Sequence, residues 1–127
     1  ELAQQNNPLM GGIANNGLDP YPTDLGYGKI TNKEQDMGTF KAPSLLNIAV
    51  TGPYMHDGRF TTLEQVINHY SDEVHYENPN IHPQMSAHGG IQLNLSQQQK
   101  DDLLAYLLTM TDTAFLNNPE YSNPFKP

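Results

Sequence analysis

The sequence predicts an all-α fold class: a small, mostly helical domain with long ordered loops and room for a short two-stranded ribbon. Three observations point there. Two segments join N-cap chemistry to helical apolar spacing. Ten Gly and ten Pro among 127 residues interrupt the rest of the chain. Only 36% of residues are hydrophobic, which points to a few helices set in much irregular chain. A chain of this kind usually needs a ligand, a metal or a partner domain besides its own core. The length allows one domain at most, spanning 1–127.

The elements follow in order. Residues 1–40 hold no sustained period, and Asn15-Asn16-Gly17, Asp19-Pro20, Gly26 and Gly28 are turn chemistry. A short helix over Leu2 to Met10 is a weak option. The rest of this stretch reads as ordered loop, with Leu18, Tyr21, Leu25, Tyr27 and Ile30 as its apolar pins. Pro43 to Val50 reads as a short helix with Pro in its first turn, stopped by Gly52 and Pro53. The first strong helix runs from about Thr62 to Asp72. Thr61 with Glu64, or Thr62 with Gln65, forms its capping box. Leu63, Val66, Ile67 and Tyr70 share one face, and His69 lies off that stripe. A loop over 73–94 follows. The second strong helix starts at Ser96, boxed by Gln99, and carries Leu103, Leu104, Leu107 and Leu108 to about Met110. The tail over 113–127 is expected to lie over the surface.

Composition removes several function classes. The net charge is −8, from 14 acidic and 6 basic residues. That argues against a nucleic-acid partner, whose phosphates require clustered cations, and is compatible with a cationic partner. The absence of cysteine rules out a disulfide or thiolate site within this chain. No apolar run reaches the length of a membrane span. The chain opens on Glu1 with no leader, as a processed or excised piece would.

The chemistry-bearing residues have bland and sharp readings. The five histidines (His56, His69, His75, His82 and His88) show no zinc-ligand spacing. A zinc or calcium hydrolase using the loop from His75 to His88 is therefore the weakest rival. Nucleophile motifs are absent. Met55 carries a thioether that can ligate haem iron or fill a core gap. Tyr70 carries a phenol on an inward helical face, where the partner is either a carbonyl or a metal.

Residues 38–70, reading GTFKAPSLLNIAVTGPYMHDGRFTTLEQVINHY, resemble a known signature. It is that of the bacterial di-haem cytochrome c peroxidase/MauG family, approximately G-x-F-K-x-P-S-L-R-N-x-A-L-T-x-P-Y-M-H-D-G-R-F-x-T-L-E-x-V-x-x-H-Y. The likeness extends loosely upstream through Asn16-Gly17-Leu18-Asp19 and downstream into the last helix, covering about 15–112. The resemblance implies a cytochrome c-like helical domain, the C-terminal one of two haem c domains. That domain relays electrons to an N-terminal peroxidatic haem domain. The whole enzyme would reduce hydrogen peroxide, or use it to oxidise a protein substrate, with an electron-donor protein as a further partner. A periplasmic or exported location goes with it, and a homodimer is compatible with it.

Residue by residue, the resemblance implies the following. Tyr70 stands where peroxidases of the family carry a Met as distal axial ligand of the C-terminal haem, and where MauG carries a Tyr. Tyr70 is thus the candidate iron ligand in preference to Met55. Met55 and His56 belong to the haem pocket, where His56-Asp57 matches a supporting pair; a turn fixed by Asp57 and Gly58 is the plain alternative. Thr51 and Pro53 match backbone carbonyls that bind a calcium ion between the domains, a weak site on two oxygens alone.

The departures also have consequences. The C-x-x-C-H that fixes haem c is expected just upstream of this chain, and without cysteine no covalent haem attaches to these residues. Leu46 replaces the Arg of P-S-L-R-N. A haem-free binding or structural module that kept the scaffold is the alternative function.

Overall fold

The computed structural model describes residues 12–86 and 89–125. The expected helix over 2–10 and His88 lie outside the described residues. A two-residue strand β1 (Ile13–Ala14) pairs antiparallel with β2 (Phe40–Lys41), Ile13 opposite Lys41 and Ala14 opposite Phe40. Between them run a single-turn helix α1 (Gly28–Thr31) and a 3₁₀ turn at Glu34–Asp36. A second 3₁₀ turn, Ile48–Val50, precedes the two main helices, α2 (Leu63–Asp72) and α3 (Gln97–Leu108). A short α4 (Thr113–Leu116) and a 3₁₀ turn at Pro119–Tyr121 follow.

Both main helices begin as their sequence demands. Thr62 accepts from the Gln65 amide, and the Gln65 side chain accepts from the Thr62 amide at 3.1 Å. Ser96 and Gln99 repeat the arrangement at α3. Each box satisfies donors that the first helical turn leaves without partners. The two helices pack together through Leu63, Ile67 and Leu107. Ile48, Ala49, Tyr54 and Leu104 are half-buried around them.

Several expectations need correction. The all-α class does not hold: helix accounts for only about 35% of the described residues, and the two-stranded ribbon that the sequence left room for is present as β1 and β2. Gly and Pro keep the chain between the helices irregular, and that irregular chain is longer than the helices themselves. The helix expected over Pro43 to Val50 is only the 3₁₀ turn at its end. Asn47 sits in the left-handed region, at φ 59, which no continuing helix tolerates. It is held there because its N–H donates to the Met110 carbonyl at 2.9 Å and its Oδ1 accepts from the Asp112 amide at 2.7 Å.

The apolar pins of the first loop also fail, apart from Leu18. Tyr21 and Ile30 are about three-quarters exposed. Hydrogen bonds hold that loop instead. On α2, Leu63 and Ile67 are buried as expected, but Val66 and Tyr70 are half-buried and the off-stripe His69 is only 2% exposed. Of the four leucines that α3 carries, only Leu107 is buried.

Candidate functional site

The site is built around the loop Asn15–Asp19. Five consecutive carbonyls there each accept from a different residue. Asn15 accepts from the His82 amide at 2.9 Å and Gly17 from the His75 amide at 2.9 Å. Asn16 accepts from His69 Nε2 at 3.2 Å. Leu18 accepts from Arg59 Nη1 at 3.3 Å, and Asp19 from Asn78 Nδ2 at 2.9 Å. A loop carrying so few apolar anchors can still hold one conformation when every buried acceptor is met. Gly17 makes the close approach possible. Its φ is +65, and a Cβ there would fall 2.8 Å from Val74 Cγ1.

The ends of this loop are tied by charge and by a ring. Arg59 reaches Asp19 with two hydrogen bonds of 2.9 Å and Asp57 at 2.7 Å. Bidentate geometry of this kind suits the planar guanidinium. The hydrogen bond to Asp19 is the main influence raising the Arg59 pKa above its ordinary value. Burial acts to raise the Asp57 pKa, but the hydrogen bonds and charge of Arg59 outweigh it and leave that carboxyl below the usual range. On the other side His69 lies under the loop. Burial is the main influence pushing its pKa down, partly offset by the Asn16 carbonyl. A carbonyl only accepts, so Nε2 carries a proton in this contact.

Above His69 sits Tyr70, with ring centroids 5.1 Å apart in an edge-on arrangement. Its phenol oxygen lies 3.3 Å from Asn16 Nδ2, and the same nitrogen lies 3.4 Å from Met55 Sδ. A thioether only accepts, so the atom facing both groups must be the amide NH₂. Tyr70 therefore receives a hydrogen bond. Among the described residues, no acceptor takes its own hydroxyl proton. Tyr54 behaves in the opposite way, donating to the Ile48 carbonyl at 2.8 Å as a structural tyrosine does. Met55 is half-buried and held at φ +70, in the turn closed by the 2.7 Å bond from the Tyr54 amide to the Phe60 carbonyl.

Among the described residues, the remaining sequence candidates make no side-chain hydrogen bond to Tyr70, Asn16 or Met55, though His56 lines a crevice with Asn15, Asn16, Leu18 and Asp19. His56 is exposed and stacks on Phe40, with centroids 3.8 Å apart and planes 9° from parallel. Asp57 makes the turn through its 3.1 Å bond from the Arg59 amide. Thr51 and Pro53 are exposed on the turn before β-bridge residue Tyr54. His75 pairs with Glu77 at 2.9 Å. No group of three or more His, Cys, Asp or Glu able to hold a metal ion occurs among the described residues.

Sequence reasoning joined Tyr70 and Met55 but missed what joins them. In the sequence Asn16 is turn chemistry and His69 lies off the apolar stripe of its helix. Only the loose upstream likeness through Asn16-Gly17-Leu18-Asp19 marked that loop.

The chain is similar to several characterised proteins. It is 29% identical over 121 residues to the cytochrome-c peroxidase IdrP1 of Denitromonas iodatirespirans, covering 91% of this chain and 30% of that protein. The cytochrome c551 peroxidase of Nitrosomonas europaea is 30% identical over 130 residues, covering 96% and 32%. The methylamine utilization protein MauG of Paracoccus denitrificans is 38% identical over 93 residues, covering 61% and 24%. The chain thus spans about a third or less of the length of these relatives. The fold matches the crystal structure of a MauG-like protein associated with microbial copper homeostasis. There the TM-score is 0.80 and the identity 33%, over 96% of this chain and 41% of the other. No protein-family model matches the chain.

Proposed function

We propose, proceeding from the chain's membership of the di-haem cytochrome c peroxidase/MauG family, that it is the electron-transfer haem domain of a peroxide-using oxidoreductase and that Tyr70 is an axial iron ligand. The observation that carries this reading is the state of the Tyr70 hydroxyl. It accepts from Asn16, and its proton is committed to no described acceptor. That leaves the oxygen available to a metal, unlike Tyr54.

The residues present fit part of a haem c. Tyr70 would hold the iron through its phenol oxygen, with the Asn16 amide and Met55 beside that oxygen. The thioether links cannot come from these residues, since the chain has no cysteine. Bound haem supplies a one-electron couple between ferric and ferrous iron. A phenolate oxygen favours the ferric state relative to a thioether. His69, buried under the loop, fixes the segment that carries Asn16. Arg59 keeps the far end of that loop anchored. Thr51 and Pro53 would contribute two carbonyls to a calcium site completed from elsewhere.

The partners follow from the same reading: an N-terminal peroxidatic haem domain, and an electron-donor protein or protein substrate. No helix among the described residues is long and apolar enough to cross a membrane. A periplasmic or exported location completes the proposal.

The test uses the complete encoded protein made in a host that matures c-type haems. Two covalent haems are expected, with Tyr70→Met raising the potential of one and bringing in a sulfur-to-iron absorption band. An unchanged spectrum and potential rules Tyr70 out. The absence of any haem absorption transfers the chain to the alternative, a haem-free binding module.

A further inference from the structure

Asn16 is polar, sits beside the proposed ligand and belongs to the Asn15–Asp19 loop, whose five carbonyls all find donors. We propose that Asn16 is the positioning residue for Tyr70: its side-chain amide directs one N–H to the phenol oxygen and the other to Met55 Sδ, and so sets the donor strength of that oxygen. The inference rests on the reading of Tyr70 as an iron ligand and goes beyond it to how the ligand is tuned.

The geometry is specific. One nitrogen lies 3.3 Å from the phenol oxygen and 3.4 Å from the sulfur. An amide NH₂ has two protons, one for each acceptor. Met55 therefore fixes the rotation of the amide about its own axis. A sulfur is a weak acceptor, sufficient to orient the group without drawing it away from the oxygen. The sulfur itself is placed by the left-handed backbone at Met55. Residues held there in a sparsely populated conformation cluster at functional sites.

The backbone of Asn16 is fixed with equal care. Its carbonyl accepts from His69 Nε2. The carbonyls on either side accept from the His82 and His75 amides. Asn15 Oδ1 accepts from the Gly17 amide at 2.9 Å, closing the turn around Asn16. Asn16 cannot withdraw from Tyr70 without breaking several of these bonds. His69 and Tyr70 are adjacent on α2, so the helix holds both ends of the arrangement: one residue grips the Asn16 backbone and the next receives its side chain.

The physical consequence concerns charge. A hydrogen bond donated to an anionic ligand oxygen withdraws electron density from it. That weakens its support for ferric iron and raises the potential relative to an undirected phenolate. Asn16 thus moderates a ligand that by itself would push the potential low.

The experiment uses the complete haem-loaded protein and compares Asn16→Leu, Met55→Leu and Tyr70→Phe with the parent. Reduction potential and the resonance Raman modes of an iron-bound tyrosinate are read, with melting temperature as the check on folding. Asn16→Leu is expected to lower the potential and shift the tyrosinate modes. Met55→Leu is expected to move both in the same direction by less, and to add nothing once Asn16 is Leu. Should Asn16→Leu fail to fold, Met55→Leu reads the same network. If neither variant moves potential or modes while Tyr70→Phe abolishes the modes, Asn16 has no tuning role and the ligand reading survives. If Tyr70→Phe also leaves the spectrum as it was, the ligand reading fails and this inference falls with it.

Discussion

Helices α2 and α3 start alike and end up in different surroundings. Each opens with a Thr or Ser cap and a Gln three residues on, in a complete capping box. Yet α2 buries Leu63, Ile67, His69 and Ser71, whereas the longer α3 buries only Leu107. The difference lies in what the irregular chain does. The loops over 15–19, 54–60 and 91–95 all come back to α2. Ser71 shows it well: its carbonyl accepts from the Asn94 amide at 3.0 Å and its hydroxyl oxygen from the Leu95 amide at 2.9 Å. Helix α3 meets α2 and the Ile48–Val50 turn, and little else. The candidate site accordingly sits on α2. Capping starts a helix, and tertiary wrapping decides whether it can hold a side chain still enough to act.

The strongest way to sharpen this comparison is to open a hole on α2. His69 is 2% exposed, packs near Phe60 with centroids 5.9 Å apart, and holds the Asn16 carbonyl. His69→Ala removes a filled volume and orphans a buried acceptor. We expect a loss of about 2–4 kcal/mol, in the range for such truncations. Urea denaturation measures it, and a loss under about 1 kcal/mol would mean the loop does not depend on that ring.

The next effect is smaller and tests the charged end of the same loop. Arg59→Met keeps the apolar stem and removes the hydrogen bonds to Asp19, Asp57 and the Leu18 carbonyl. The side chain is 36% exposed, so solvent screening limits the loss to about 1 kcal/mol. Arg59→Lys should recover little of it, because an ammonium cannot bridge the two Asp19 oxygens as a guanidinium does. Full recovery with Lys would show that charge alone, without the fork geometry, anchors the loop.

A pH series separates the ring from the carboxylates. His69 has its folded pKa pushed below the usual 6.5 by burial. The unfolded state then binds more protons in the window just below 6.5. Stability should therefore be intact above about pH 6.5 and fall as pH drops through the folded pKa, with a slope of at most about 1.4 kcal/mol per pH unit. The lowered carboxyl of Asp57 contributes in the same direction, but only in the more acidic range near and below its ordinary value of 3.8. A His69→Leu variant should lose the upper step and keep the lower one. Persistence of the upper step in that variant would assign it to another group.

Much of this was legible from the residues, and the division follows sequence separation. Capping boxes span three residues, so Thr62-Gln65 and Ser96-Gln99 could be read directly. The placement of Tyr70 as a ligand comes from resemblance, since periodicity alone favours an ordinary inward tyrosine with a carbonyl as its partner. What could not be read were contacts across long stretches of chain. Asn16 meets Tyr70 and Met55 from 54 and 39 residues away. Nothing in Asn-Asn-Gly distinguishes a free turn from one whose own three carbonyls and the next two all find donors. The short helix expected from Pro43 failed for the same reason: Asn47 takes a left-handed conformation to meet Met110 and Asp112, which no local pattern announces.

The smallest expected effect bears on α3. Leu103 is 38% exposed and Leu108 50% exposed, with Tyr106 beside them at 57%. Burying an apolar side chain stabilises by roughly the area removed from water, so side chains this open have little stabilisation to lose. Leu103→Ser and Leu108→Ser should each change the stability of this chain by about 0.5 kcal/mol or less. Leu107→Ala, one position from Leu108 but 8% exposed within the Leu63–Ile67 cluster, should cost about 2–3 kcal/mol. The sequence reads Leu103, Leu107 and Leu108 alike as apolar positions of one helix, and equal burial would make their losses alike. Unequal losses measured side by side on the same helix would confirm that α3 is covered along one narrow line. Equal losses would mean that α3 is wrapped as α2 is, and the contrast between the two helices would vanish.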